Sequence, residues 1–187
     1  MAASHSRMLR FRSGDKFTGY TGHSQLISMA TQEFITHSAE ETIALGRTLA
    51  GMLAPPKIVL LRGDLGAGKT TLVKGIAEAF QAASAEDVTS PTFTLVHEYR
   101  GPRASLYHID LYRIDTPRQL ETLGLEDLIT SNSILLIEWG EKFSRFERER
   151  DVEIALETMD DRVNAAQTSE SDRRIRIIGA QVEPHPS

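Results

Sequence analysis

Lys57 to Phe80 reads KIVLLRGDLGAGKTTLVKGIAEAF. An apolar run, Ile58 to Leu61, meets a glycine-rich turn, and the turn runs straight into a helical pattern. Gly63, Gly66, Gly68, Lys69 and Thr70 fill the spacing G-x-x-x-x-G-K-[ST] of a phosphate-binding loop. The residue types follow from the ligand. A polyphosphate needs many donors packed close together, and glycines let the backbone curl into a nest of N–H groups around the anion. The helix that follows points its free N–H groups and partial positive charge at the same place. Lys69 can reach the β- and γ-phosphates, and the Thr70 hydroxyl can ligate Mg²⁺. The four fixed positions match by chance in roughly half a percent of chains of this length, and seldom between a strand and a helix. This stretch therefore predicts an α/β fold with a nucleotide site at its centre.

The rest of the composition bounds that reading. The chain has 187 residues, 40% apolar and 25% charged, a globular composition that suggests one domain over 29–180. There is no cysteine, which excludes disulfides, a thiol nucleophile and a zinc–thiolate site. No apolar run approaches the 18 residues of a membrane span. A net charge of −5 argues against broad non-specific nucleic-acid binding. Residues 1–28 carry Arg7, Arg10, Arg12 and Lys16 against one acid, Asp15, with frequent Ser, Gly and Thr and no periodicity. They are expected to be a disordered extension, and 181–187 a tail.

Outward from the loop, Glu33 to Thr36 suggests a short edge strand. Ser38 with Glu41 three residues on suggests a capping box opening a helix that Pro55 and Pro56 end. Beyond Phe80, Ala83 to Thr89 reads as loop, Phe93 to Tyr99 and Ser105 to Leu111 as a hairpin about Gly101 and Pro102. Thr116 and Pro117 open a helix as N-cap and first residue, and Leu125 to Ile129 forms a second short one after Gly124. Ser133 to Ile137 is nearly all apolar, as a strand buried on both faces should be. Glu141 to Arg150 is charged and helical in pattern. Asp151 to Leu156 and Arg174 to Ile178 alternate as a C-terminal hairpin around a polar loop.

A phosphate-binding loop needs an acid at the end of a neighbouring strand to hold Mg²⁺ directly or through water. Glu138 follows the apolar run ILLI, and Asp110 ends the hairpin strand YHID; both stand as candidates, and the pattern does not rank them. Thr92, in SPTFT, is placed to act as a switch threonine touching Mg²⁺ or the γ-phosphate. Trp139 follows Glu138 directly, where core or rim packing is the plain expectation. His108 alternates in register with Asp110, and ordinary packing or exposure is expected of it. Arg103, Arg113, Arg145, Arg148 and Arg150 read as a solvated face, and no arginine stands out as a finger on the phosphates.

The motifs GDLGAGKTTLVKG, SPTFTLVHEY, YHIDLYR and LLIEWGE, in this order, resemble the bacterial tRNA threonylcarbamoyladenosine (t6A) biosynthesis ATPase family, TsaE. The resemblance spans about Thr36 to Leu156. It implies a P-loop NTPase-like three-layer sandwich, with a mostly parallel central sheet and antiparallel hairpin additions. It implies ATP and Mg²⁺ as cofactors: Gly63, Asp64, Leu65, Gly66, Ala67, Gly68, Lys69, Thr70 and Thr71 around the phosphates, with Thr42 from the helix start at Ser38 near the nucleotide. Thr70, Glu138 and Asp110 would serve the metal, Asp110 as the Walker-B-like acid, and Lys69, Asp110 and Thr92 would serve catalysis. The implied partners are TsaB and TsaD, whose complex ATP hydrolysis would reset during t6A formation on tRNAs reading codons that begin with A. Contact with tRNA is expected only through that complex, in the cytoplasm and away from membranes. Aromatics are 6% and no base-stacking platform is visible. Two other readings stay open: a small-molecule kinase with Glu141 to Arg150 as an arginine-bearing lid, and a nucleotide-dependent binding module without catalysis.

Overall fold

The computed structural model describes residues 30–159 and 172–179. The expected N-terminal extension, the C-terminal tail and nearly all of the polar loop at 160–172 lie outside the described residues. The chain runs β1 (Ala30–Thr36), α1 (Ala39–Leu49), β2 (Lys57–Arg62), α2 (Lys69–Ala79), β3 (Val96–Arg100), β4 (Ser105–Asp110), α3 (Pro117–Glu121), α4 (Leu125–Leu128), β5 (Ser133–Glu138), α5 (Ser144–Glu149), β6 (Val152–Met159) and β7 (Asp172–Gly179). The strands form one sheet in the order β1-β7-β6-β2-β5-β4-β3. β6, β2, β5 and β4 are mutually parallel. The outer strands are antiparallel additions: β3 on β4, β7 on β6, and β1 on β7.

Period-2 alternation in the buried strands builds a core on each face. Val59 and Leu61 of β2, with Ile134 and Leu136 of β5, pack with α1 and α2 through Leu45, Leu49, Leu72, Val73 and Ile76. Leu60, Leu135 and Ile137 point the other way, onto Leu120, Leu125, Phe143 and Phe146 around α3, α4 and α5. The sheet is thus the middle of three layers, and every residue of β5 is buried, as its apolar run predicts.

The layer of α1 and α2 is unusually close-packed. A β-carbon on Gly75 would lie 1.9 Å from the Ile43 carbonyl oxygen, and one on Gly46 would lie 2.3 Å from that of Leu72. Only glycine allows this backbone-to-backbone approach.

Several local expectations are adjusted. β1 begins at Ala30, ahead of Glu33. Ser38 does cap α1, accepting from Glu41 N at 3.1 Å, but Glu41 reaches one residue further back and accepts from His37 N at 2.7 Å. A reciprocal capping box forms instead at Thr116, with Gln119, and Pro117 sits in the first turn. The strand expected from Phe93 begins only at Val96. Leu95 is left-handed (φ 67°) and its N–H closes a turn on Pro91 O, so Phe93 to Leu95 leave the sheet. Glu141 to Arg150 divides into a 3₁₀ turn at Gly140–Lys142 and α5.

Candidate active site

Gly63 to Gly68 join the end of β2 to the start of α2, and Lys69, Thr70 and Thr71 form the first turn of that helix. Gly66 (φ 82°) and Gly68 (φ 100°) hold conformations that favour glycine. A β-carbon at Gly68 would come within 2.9 Å of Arg173 Nε, so the Arg173 side chain would have to shift to make room for it. Asp64, Leu65 and Gly66 face solvent, and Ala67 is buried under the loop. Lys69 is 4% exposed and donates from Nζ to the carbonyls of Gly63 (2.6 Å) and Asp64 (3.0 Å).

The strand order brings the acids to this loop. β5 lies directly beside β2, so Glu138 stands at the mouth of the loop. Its Oε2 is 3.5 Å from Lys69 Nζ, and its Oε1 accepts from Thr70 Oγ1 at 3.5 Å and pairs with His108 Nε2 at 2.8 Å. The donor set suits Mg²⁺, a hard cation usually bound by one or two protein oxygens together with phosphates and water. Among the described residues no group of three His, Asp or Glu side chains is placed to hold a metal alone.

Asp110, one strand further out, uses its carboxylate differently. Oδ2 accepts from Thr92 Oγ1 at 2.7 Å and Oδ1 from Tyr112 N at 2.8 Å. Thr92 also shares a 2.8 Å hydrogen bond with Ser90 Oγ. Asp110, 1% exposed, therefore ties the SPTFT turn to the end of β4. Trp139 extends the site as a wall. It sits at φ 60°, a strained value for a non-glycine residue, with its ring 4.9 Å from Lys69 Nζ and tilted against Tyr112 at 5.1 Å. Beyond it, Tyr112, Arg113, Asp115, Trp139 and Lys142 line an open hollow of about 630 Å³.

Thr42 is fully buried in the first turn of α1, and its hydroxyl meets Thr36 Oγ1 (2.8 Å) and Ser38 O (2.9 Å). It links α1 to β1, so any contact with the nucleotide there would fall to its neighbours. The five arginines weighed from the sequence mostly turn to other partners. Arg145 pairs with Glu126 and Glu149, Arg150 with Glu147 and Glu153, Arg103 lies over the Phe80 ring, and Arg148 is exposed. Arg113 alone of the five approaches the SPTFT turn, 5.6 Å from the Phe93 ring.

The structure gives two residues a place at the site that the sequence does not: ordinary packing or exposure is the expectation for His108, and nothing singles out Arg173. His108 is fully buried and bonded to Glu138. Arg173 lies across Gly68, and its Nε and Nη1 are buried without a hydrogen-bond partner among the described residues. Two buried, unpaired guanidinium nitrogens over a phosphate-binding loop have the charge and the free donors for an anion. One available signal was positional: Arg173 opens the return strand of the C-terminal hairpin, at the sheet edge where β2 and its parallel neighbours end.

Comparison with known proteins agrees with this geometry. The family described as threonylcarbamoyl adenosine biosynthesis protein TsaE matches residues 36–167. A tRNA threonylcarbamoyladenosine biosynthesis protein TsaE from Rickettsia bellii is 37% identical over 135 residues, covering 72% of this chain and 92% of that one. The TsaE protein of Aquifex aeolicus is 36% identical over 146 residues, 78% and 95% of the two chains. The crystal structure of YdiB from Bacillus subtilis superposes with a TM-score of 0.60 at 28% identity, over 82% of this chain and 88% of that one. With its phosphate-binding loop and mixed sheet the fold is P-loop NTPase-like, and the chain belongs to the TsaE family, the threonylcarbamoyl adenosine biosynthesis proteins.

Proposed function

We propose that this protein is a Mg²⁺-dependent ATPase that supports t6A modification of tRNAs reading codons that begin with A, by driving turnover of a TsaB–TsaD complex. The observation that carries the reading is the position of Glu138, its carboxylate between Lys69 Nζ and Thr70 Oγ1 at the mouth of the loop. The loop amides from Asp64 to Thr71 would cradle the phosphates, and Lys69 and Arg173 would neutralise their charge. Thr70 and Glu138 would hold Mg²⁺, which supplies charge stabilisation for the β- and γ-phosphates. Asp110 would act through Thr92, holding the switch turn where its hydroxyl can reach the γ-phosphate or the metal. The phosphate-binding side of the site is open, and the exposed Leu65 and Phe93 stand near its rim. Contact with TsaB–TsaD would complete it, so that hydrolysis is slow alone and faster in the complex, with tRNA met only through the partners. A cytoplasmic setting goes with this role, and among the described residues no helix is long and apolar enough to cross a membrane. The kinase reading of Glu141 to Arg150 as a lid loses support because two of its three arginines, Arg145 and Arg150, are held in ion pairs, although Arg148 is exposed.

The test is thermal melting with Mg²⁺ plus ATP, ADP, GTP or no nucleotide, for wild type and Lys69→Ala. A ligand at a hundred times its Kd adds about 2.7 kcal/mol, a rise of a few degrees in a domain of this size. Adenine nucleotides should raise the midpoint, GTP should not, and Lys69→Ala should abolish the shift. ATP hydrolysis should then rise on adding TsaB–TsaD. Failure of both the shift and the stimulation, with the partners present, would sink the reading.

A further inference from the structure

His108 lies in the interior of the sheet, 0% exposed, on the face covered by α1 and α2. It pairs in register with Leu136 of β5 on one side and His97 of β3 on the other. Its position, two residues before Asp110, puts its ring on the same face as both acids. One polar contact explains it: Nε2 at 2.8 Å from Glu138 Oε1. Nδ1 is buried with no partner. A carboxylate only accepts, so Nε2 carries a proton and donates to Glu138. Burying a polar ring with one nitrogen unpaired costs free energy, and the bond to Glu138 is the polar contact that the fold retains for it.

We propose that His108 is a positioning residue for the metal site. Its Nε2–H fixes the carboxylate plane of Glu138, so that one oxygen stays beside Thr70 and the other beside Lys69. Without it the carboxylate keeps only the two longer, 3.5 Å contacts to Lys69 and Thr70, and a ligand that must first be ordered binds metal more weakly. Neither Asp110 nor Thr92 can substitute, because they bond to one another and not to Glu138. The inference rests on the reading of Glu138 as a Mg²⁺ ligand.

The experiment titrates Mg²⁺ into protein saturated with ADP and follows the melting midpoint, for wild type, His108→Leu, His108→Asn and His108→Gln. The amide nitrogen of glutamine occupies nearly the place of Nε2, whereas asparagine is too short and leucine cannot donate. ADP affinity without metal, measured by calorimetry in EDTA, serves as the structural control and should not change. In His108→Leu and His108→Asn the half-saturating Mg²⁺ concentration should rise by about 10-fold or more, the range found when outer-shell partners of a metal are removed. His108→Gln should stay within about 3-fold of wild type, since it keeps the hydrogen bond. Should His108→Leu fail to fold, the contrast between asparagine and glutamine carries the result. Equal loss in all variants, or wild-type Mg²⁺ dependence in asparagine and leucine, overturns the inference while leaving the site assignment standing. A wild-type protein whose ADP complex ignores Mg²⁺ overturns the assignment of Glu138 and the inference with it.

Discussion

Asp110 and Glu138 end adjacent parallel strands, pair in register, and face the same side of the sheet. From sequence they are near equivalents. In the structure they serve opposite ends of the site. Asp110 binds protein donors with both oxygens, while Glu138 faces the lysine and threonine of the phosphate-binding loop. The difference lies in strand order. β5 touches β2, the strand that feeds the loop, and β4 stands one place further out, against the SPTFT turn. The role of a strand-end acid is thus set by its distance in strands from the loop, and its chemistry alone does not reveal it.

Substitutions can break this contrast. On the proposed role of Glu138 as a Mg²⁺ ligand, Glu138→Ala should be the most damaging, lowering the apparent affinity for Mg²⁺ in the nucleotide complex by at least about 100-fold, since losing a direct ligand costs more than losing an outer-shell partner. Calorimetry of ADP binding with and without Mg²⁺ reads this directly, and a surviving metal dependence would mean that the two acids have been assigned the wrong way round. On the other side of β2, Arg173→Ala removes a charged donor worth about 2 kcal/mol, or roughly 30-fold in the Kd for ATP. Its effect should be nearly the same with or without metal, unlike that of Glu138→Ala.

Asp110→Asn keeps an acceptor for Tyr112 N–H but loses the second acceptor for the Thr92 hydroxyl. The Thr92 hydroxyl can accept from the new amide N–H2 instead, so what is lost is the charge on the bond; turnover with partners should fall by about 10-fold, while Mg²⁺ affinity holds. Thr92→Val should cost about the same, and the double variant little more than either alone, because the two residues act through one bond. Thr92→Ser, which keeps the hydroxyl, should change turnover by less than about 3-fold. If it were as damaging as valine, the γ-methyl and not the hydrogen bond would hold the turn.

Much of this was legible along the chain. The loop, the strand before it, the helix after it, the buried run of β5 and the cap at Thr116 all follow from local patterns, and the structure keeps them. Phe93 to Leu95 misled because β-formers dominate there, yet the segment must double back to bring Thr92 onto Asp110, and tertiary contact overrides propensity. His108 and Arg173 were illegible for a related reason. The alternation of His108 with Asp110 does not separate plain packing from a place at the site, since its partner is 30 residues away on the next strand, and Arg173 reaches Gly68 from the far end of the chain.

The glycine contacts between α1 and α2 carry a consequence for the order in which the molecule opens. Helices joined backbone to backbone at Gly46 and Gly75 cannot separate by the sliding of side chains. Their amides should therefore exchange with deuterium as one cooperative unit, at rates close to global unfolding. The opposite layer, built from α3, α4 and α5 of six residues or fewer, should release its amides earlier. The phosphate-binding loop would then be anchored to the last part of the protein to melt, while the far side of the sheet remains free to breathe.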